Sequence, residues 1–345
     1  MALAWNRMLD HTVAFVIVCW NSRDLLDTCL GSIDRQTAGK SLVIVVDNGS
    51  EDGSQDHIRA SYPTVQLIEA GRNLLFAAAC NVGIRAALAD PACRYVAFLN
   101  DDAWLADDWL ERLLSFAEHH VDGAGFQGLT LDARDHDVVD SFGLYIGHAG
   151  RAIQMGYRGR DLQPETGEVF GVNAAACLYS RAFLSAQPFG DEYLDADLRM
   201  YLEDVDLAAR AVVMGWKNYF VKEAVAYHLG SGGGREDRTL ALRLTCRNDV
   251  LVLVKNLPWS AMVRTLPGML RAELARYRGF LRTGDYRKVG TMMYGRLLGV
   301  LNLPRFLGKR SVLAPHRRIT RDRLWNLMAG SPPGLSESGD RPQPG

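Results

Sequence analysis

The stretch VAFVIVCWNSRDLLDTCLGSIDRQTAGKSLVIVVDNGS, residues 13–50, changes its hydrophobic period twice. Val13–Cys19 is an unbroken apolar run rich in Val, as expected of a strand buried on both faces. Beyond Ser22, a residue suited to capping a helix, Leu25, Leu26, Cys29, Leu30 and Ile33 recur at helical spacing. Leu42–Asp47 is again a strand pattern. Strand, helix and strand at this spacing imply a right-handed βαβ unit in a parallel sheet. Val65–Glu69 and Tyr95–Asn100 read as two more strands. Ser54–Ala60 and Phe76–Ala89 read as the helices between them, the second ended by Asp90-Pro91. The fold class is therefore α/β, a mostly parallel sheet flanked by helices, and ligands of such sheets sit beyond the carboxyl ends of the strands.

Further along, a helix is expected from Asp107 to about His120, followed by a Gly- and Asp-rich stretch to about Thr166 with only short strand signals. Phe170–Tyr179 is a second apolar unit. A helix is expected from Glu203 to Gly215, and a strand at Asn218–Val221 leads to Tyr227-His228 and the glycine run Ser231-Gly232-Gly233-Gly234. From Thr239 the pattern is helical and basic. The segment after Gly330 is rich in Pro, Gly and Ser and reads as disordered.

The formal net charge of −1 conceals a division of the chain. Residues 250–345 carry 17 Lys and Arg against 5 Asp and Glu, net +12, and the first 249 residues carry 22 against 35, net −13. An acidic body with a basic end is suited to meeting an anionic partner. Cys19, Cys29, Cys80, Cys93, Cys177 and Cys246 form no CxxC pair and most lie in apolar runs, which points to reduced thiols in a reducing compartment. The apolar run near the N-terminus is too short for a secretory signal, and Lys255 and Arg296 interrupt the best membrane-spanning windows. A cytoplasmic location is expected, with peripheral attachment to the membrane as a further option.

The polar residues at the strand ends carry the chemistry. Trp20-Asn21 ends the first strand, and the indole can stack on a nucleobase or belong to the core. Asp47-Asn48-Gly49-Ser50 ends the second, where a carboxylate can bond a ribose hydroxyl or satisfy the donors of a tight turn. Asn100-Asp101-Asp102 ends the fourth; adjacent acids there suit a divalent ion shared with phosphates, or alternatively cap the next helix near Ala106. Glu203-Asp204-Val205-Asp206 opens a helix, where acids favour the dipole and can also supply a general base. His228 can ligate a metal or serve structurally.

Taken in order, these motifs resemble the family 2 glycosyltransferases, in particular the rhamnosyltransferase-like branch with the GT-A fold. The resemblance runs from about Val13 to Gly230 and rests on Val18–Ser22, Val46–Ser54, Asn73 with Asn81-Val82-Gly83, Phe98–Asp102, Tyr201–Leu207 and Tyr227-His228. It implies a catalytic domain over residues 1–238, with a nucleotide-binding half at 13–105 and an acceptor half at 106–238. A basic helical region then follows at 239–330, and a tail at 331–345. It further implies that Trp20, Asn21, Asp47, Asn48, Asn73, Asn81, Asn100 and Asp101 surround the donor nucleotide. Asp102 and His228 would ligate Mg²⁺ or Mn²⁺, Asp204 would be the acceptor-activating base, and Glu203 would help to position the acceptor. Leu75, Ala79 and Cys80 depart from the family pattern, which has a glycine at the first of these positions and smaller or more polar residues at the others.

The implied activity is transfer of a sugar, with rhamnose from dTDP-rhamnose the leading candidate, from a nucleotide diphosphate to a hydroxyl of a glycan or lipid-linked glycan in cell-surface polysaccharide assembly. In Arg287–Leu301, Val289, Met292, Met293, Leu297, Val300 and Leu301 fall at helical spacing among basic residues. This segment, with Leu257-Pro258-Trp259 and Leu303-Pro304-Arg305-Phe306, can lie on an anionic membrane surface, pack on the catalytic body or meet a second copy in a homo-oligomer. A non-catalytic nucleotide-binding or scaffold member of the same fold is the alternative. A dinucleotide-dependent oxidoreductase needs a glycine-rich turn after the first strand, and Cys19–Arg23 has no glycine. No nucleic-acid partner is expected, because the basic end lacks interleaved aromatic residues.

Overall fold

The computed structural model describes residues 12–39, 41–230 and 238–329. The glycine run from Ser231 to Gly234 and the 331–345 tail lie outside the described residues. In chain order the elements are β1 (Thr12–Cys19), α1 (Leu26–Asp34), β2 (Leu42–Asp47), α2 (Ser54–Ser61), β3 (Gln66–Glu69), α3 (Phe76–Ala89) and β4 (Cys93–Leu99). These are followed by β5 (Ala103–Leu105), α4 (Trp109–Glu118), β6 (Gly123–Asp132), β7 (Asp135–Ser141), β8 (Leu144–Ile146), β9 (Ala152–Gln154), β10 (Gly159–Arg160), β11 (Gly167–Val169) and β12 (Ala176–Ser180). The remainder comprises α5 (Arg181–Ser185), α6 (Glu203–Val213), β13 (Lys217–His228), α7 (Arg238–Asn256), α8 (Trp259–Arg282), α9 (Tyr286–Leu313) and α10 (Arg321–Ala329).

The main sheet runs β10-β7-β6-β12-β4-β1-β2-β3. Strands β3, β2, β1 and β4 are parallel, as the alternating periods imply, and β12, β6 and β7 continue the sheet in antiparallel pairing. Strand order reverses at β1, which lies between β2 and β4, so the carboxyl ends of β1 and β4 form a switch-point crevice. Strand β13 adds parallel to β6 and antiparallel to β5, which brings its end, His228, opposite Ala103. The sheet is buried on both faces. Val16, Val46, Ile84 and Phe98 belong to one apolar layer, and Phe15, Ile17, Leu113 and Trp109 to the other.

Several local expectations are corrected. Helix α1 begins at Leu26 without a side-chain cap; Ser22 is buried and its hydroxyl lies 3.1 Å from Cys19 Sγ. The short strand β5 follows Asp102 and α4 starts only at Trp109, so neither Asp101 nor Asp102 caps a helix near Ala106. The apolar unit 170–179 divides, with an isolated bridge at Gly171 and a strand only from Ala176. Strand β13 extends seven residues past Val221 to His228, where β5 and β6 supply its hydrogen-bond partners.

The basic C-terminal helices are not a separate body. A third apolar layer joins Leu144, Phe170, Val205 and Ala209 to Leu251, Leu257, Phe306 and Leu324. Helix α9 lies so close to α7 that a Cβ at Gly295 would meet the Arg243 carbonyl oxygen at 2.6 Å. Met292 and Phe306, for which the sequence left open a membrane surface, the catalytic body or a second copy, are wholly buried in this packing, whereas Met293, Leu297, Val300 and Leu301 are exposed. Charges reinforce the junction. Lys255 on α7 is buried between Asp195 and Asp206 at 2.7 and 2.8 Å, Asp206 also receives Arg210 Nε at 3.0 Å, and Asn256 donates to it at 2.7 Å. Removing one member of such a buried set costs about 3–5 kcal/mol, because its partners are left charged and dry.

Candidate active site

Beyond the carboxyl ends of β1, β2 and β4 the side chains form a connected rim. Trp20 is 42% exposed, and its backbone amide donates to Asp101 Oδ2 at 3.2 Å, linking the ends of β1 and β4. Asn21 adopts φ 53°, a conformation that asparagine tolerates, and its Oδ1 accepts from Glu51 N at 2.8 Å. The Asp47 carboxylate is fully buried. It accepts from Gly49 N and Ser50 N at 3.2 Å and from Gln55 Nε2 at 2.7 Å, and so it shapes the turn after β2. Asn48 and Asn73 bond to one another at 3.1 Å, and Asn48 Oδ1 accepts from Leu74 N at 2.7 Å. This ties the end of β2 to the loop that enters α3. Both ends of the Asn81 amide are taken by the backbone of Leu194, at 2.7 and 2.8 Å, so Asn81 anchors α3 to the loop before α6.

The third group is built on β13. His228 Nε2 lies 3.2 Å from Asp102 Oδ1 and 3.3 Å from Asn100 Nδ2, and its Nδ1 lies 3.0 Å from Asp140 Oδ2. Burial disfavours the imidazolium, but the hydrogen bonds and charges of Asp102 and Asp140 outweigh it and push the pKa up to about 10. In this form the imidazolium supplies the positive charge between two carboxylates. The same donor set fits a small divalent ion. Asp102 offers oxygen and His228 offers nitrogen on adjacent atoms, and the far ring nitrogen is oriented by a carboxylate, the arrangement that supports metal-ligating histidines. Asp140 was not among the residues picked out in sequence. It lies in β7, 88 residues from His228 and within the Gly- and Asp-rich stretch, where its spacing carries no signal.

Among the described residues, the acids at metal-ligand separation are Glu192, Asp195 and Asp197. Lys309 contacts all three, Lys255 holds Asp195, and Arg305 holds Asp197 at 2.5 Å. The cluster is neutralised by cations and belongs to the junction with the C-terminal helices.

Glu203 and Asp204 open α6. Asp204 is partly exposed, its Oδ1 accepts from Val205 N at 2.7 Å, and burial raises its pKa. Glu203 is 7% exposed and its Oε2 has no hydrogen-bond partner among the described residues. Burial, followed by the neighbouring charge of Asp204, pushes its pKa up to about 8. Glu203 is therefore held largely neutral near neutral pH beside Asp204, an asymmetry of the kind that separates the roles of two carboxylates. Cys80, one of the departures from the family pattern, is wholly buried beside Glu203, whose charge raises the thiol's pKa after burial has done so.

The family model "Glycosyl transferase family 2" matches residues 14–184. An N-acetylglucosaminyl-diphospho-decaprenol L-rhamnosyltransferase of Mycobacterium tuberculosis is 28% identical over 251 residues, 66% of this chain and 80% of that protein. Staphylococcus aureus TarS superposes with TM-score 0.57 at 15% identity, covering 92% of this chain and 55% of TarS. The mannosyltransferase PcManGT of Pyrobaculum calidifontis, in complex with GDP-Man and Mn²⁺, superposes with TM-score 0.52 at 14% identity over 91% and 92% of the two chains. The sheet and its crossing helices are thus those of the GT-A fold.

A folded-state pKa near 8 against an ordinary 4.5 makes Glu203 a liability once it must ionise. Its protonated form favours the fold, and that advantage fades as pH rises from about 4.5 to about 8. Glu203→Gln should therefore melt near the parent at pH 4.5 and above it at pH 9. Thermal unfolding across that range checks this, and a variant that loses as much stability with pH as the parent contradicts it.

Proposed function

The chain belongs, through residues 14–184, to glycosyl transferase family 2 and is a glycosyltransferase; from that premise we propose an inverting, metal-dependent transfer of L-rhamnose from dTDP-rhamnose to a hydroxyl of a lipid-linked glycan. The observation that carries the reading is that two sets of polar groups meet near the end of β4: Asp102–His228–Asp140, and Asp204 at the start of α6, whose carboxylate is bonded by the Ala174 backbone next to the Ala175 carbonyl that accepts from Asn100 N. Trp20 stacks on the base, and the turn held by Asp47 with the Asn48–Asn73 link encloses the ribose. Asp102 and His228 would hold a divalent ion, with Asp140 fixing the orientation of the imidazole. Bound there, Mg²⁺ or Mn²⁺ would supply positive charge for the departing diphosphate. Asp204 takes the proton from the acceptor hydroxyl as that oxygen attacks the anomeric carbon. One bond forms as the other breaks, so no second nucleophile is required. Neutral Glu203 adds no negative charge beside Asp204.

The sugar and the acceptor are read from the mycobacterial relative, an L-rhamnosyltransferase named for an N-acetylglucosaminyl-diphospho-decaprenol. The apolar face of α8 supports a lipid-borne acceptor. Val263, Leu266, Leu270 and Leu274 are at least half exposed at spacings of three and four, with Arg264, Arg271 and Arg278 on the same helix. Exposed Met293, Leu297 and Val300 on α9 add to it. No helix among the described residues is long and apolar enough to cross a membrane. An apolar stripe bordered by arginines suits an anionic bilayer surface.

Two measurements test this reading. Asp204→Asn should lower consumption of dTDP-rhamnose with Mn²⁺ by at least about 100-fold, the usual scale of general-base loss, while nucleotide affinity stays within a few-fold. Normal turnover in the variant rules out the base. Flotation with vesicles containing anionic lipid should recover the parent and lose the double variant Leu266→Glu, Leu270→Glu; equal flotation of both rules out the surface.

A further inference from the structure

We infer that Asn248 on α7 is a positioning residue for Glu203-Asp204, an inference that rests on the reading of Asp204 as the base. The chain enters α6 through a segment with an unusual backbone. Arg199, Tyr201 and Leu202 have φ of 68°, 68° and 67°, and none is glycine. Residues with a Cβ are disfavoured there, and several in close succession persist only where the surroundings over-determine them. Leu202 is the N-cap of α6, so its dihedrals set the direction in which the first turn, and with it Asp204, leaves the loop.

Asn248 supplies that over-determination. Its side chain is wholly buried, and its Nδ2 lies 2.8, 3.0 and 2.8 Å from the carbonyl oxygens of Leu198, Met200 and Tyr201. Two amide protons serve three acceptors, and all three acceptors belong to the left-handed segment or to the residue that enters it. The orientation of the amide is fixed from behind. Arg247 Nη1 donates to Asn248 Oδ1 at 2.7 Å, so only the NH₂ group can face the carbonyls. From the start of α3, Ala77 N donates to Arg199 O at 3.2 Å. Two turns further along α7, Lys255 and Asn256 hold Asp206 on the other side of the pair. One helix thus grips the backbone before Glu203-Asp204 and the carboxylate after it. The Asn248 amide bonds the loop backbone, and its effect on the reaction passes through the position of Asp204.

Asn248→Asp keeps the shape and removes the protons, which sets a carboxylate against three carbonyl oxygens. The apolar layer and the Asp206 set remain, so the fold persists. The full chain is assayed with Mn²⁺ and a panel of UDP-, GDP- and dTDP-sugars that includes dTDP-L-rhamnose, and amide hydrogen exchange is followed over residues 198–206. In Asn248→Asp, kcat for donor consumption should fall at least 30-fold with the donor KM within threefold, and exchange should accelerate at 199–204. Adding Leu202→Gly, which accepts φ 67° without strain, should recover part of the lost kcat, whereas a residue that only stabilises the fold would gain nothing from an added glycine. Unchanged kcat, a KM that rises as kcat falls, or unchanged exchange overturns the inference. If the parent consumes no sugar in the panel, the proposed function fails, and the exchange comparison alone still decides for or against the grip of Asn248.

Discussion

A carboxylate cannot lie in a dry interior without countercharge and donors, and Asp206 is wholly buried. Its requirements are met by Arg210 on its own helix and by Lys255 and Asn256 on α7. This one constraint joins the basic C-terminal helices to the helix that carries Glu203 and Asp204. Lys255 then draws in Asp195, Lys309 from α9 reaches Asp195 and Asp197, and Asn248 on the same α7 falls against the loop before α6. On the proposed reading, the strand ends are where a nucleotide would meet a metal. The placement of Asp204 depends on helices that lie outside the residues matched by the family model.

This changes the meaning of the charge division. An acidic body and a basic end suggest two regions, each turned toward a separate partner. Part of that opposition is used internally: Lys255, Arg305, Lys309 and Arg323 pair with Asp206, Asp197, Glu192 and Glu168 of the body. The arginines of α8 that border its exposed apolar stripe are the share left for an anionic surface. The boundary drawn at residue 238 in sequence therefore separates compositions, and the packing crosses it.

The parallel half of the sheet was legible because buried strands and amphipathic helices have distinct periods. Leu42–Asp47 and Phe76–Ala89 fall where their patterns place them. The acidic and histidine positions at the strand ends were legible from order along the chain. What sequence did not reveal depends on long-range pairing. Asp140 meets His228 only because β7 joins β6 and β6 joins β13. Asn248 reads as one polar residue on a helix with no apolar side, since α7 is packed against both α6 and α9. Local propensity also misled at Ser22, where a good capping residue is instead buried against Cys19. At Asp47 the carboxylate serves the local turn amides and Gln55, the alternative open at any turn, while Asn81, within α3, is taken by the backbone of Leu194.

The proposed chemistry needs a divalent ion shared between the Asp102–His228 pair and a nucleotide diphosphate. Calorimetric titration of the full chain with dTDP and UDP, in Mn²⁺ and in EDTA, tests it most directly. Mn²⁺ should tighten binding of the preferred nucleotide at least tenfold, and Asp102→Asn and His228→Ala should each abolish the gain while the EDTA affinity stays the same. Equal affinity with and without the ion, or the full gain retained in Asp102→Asn, would contradict it.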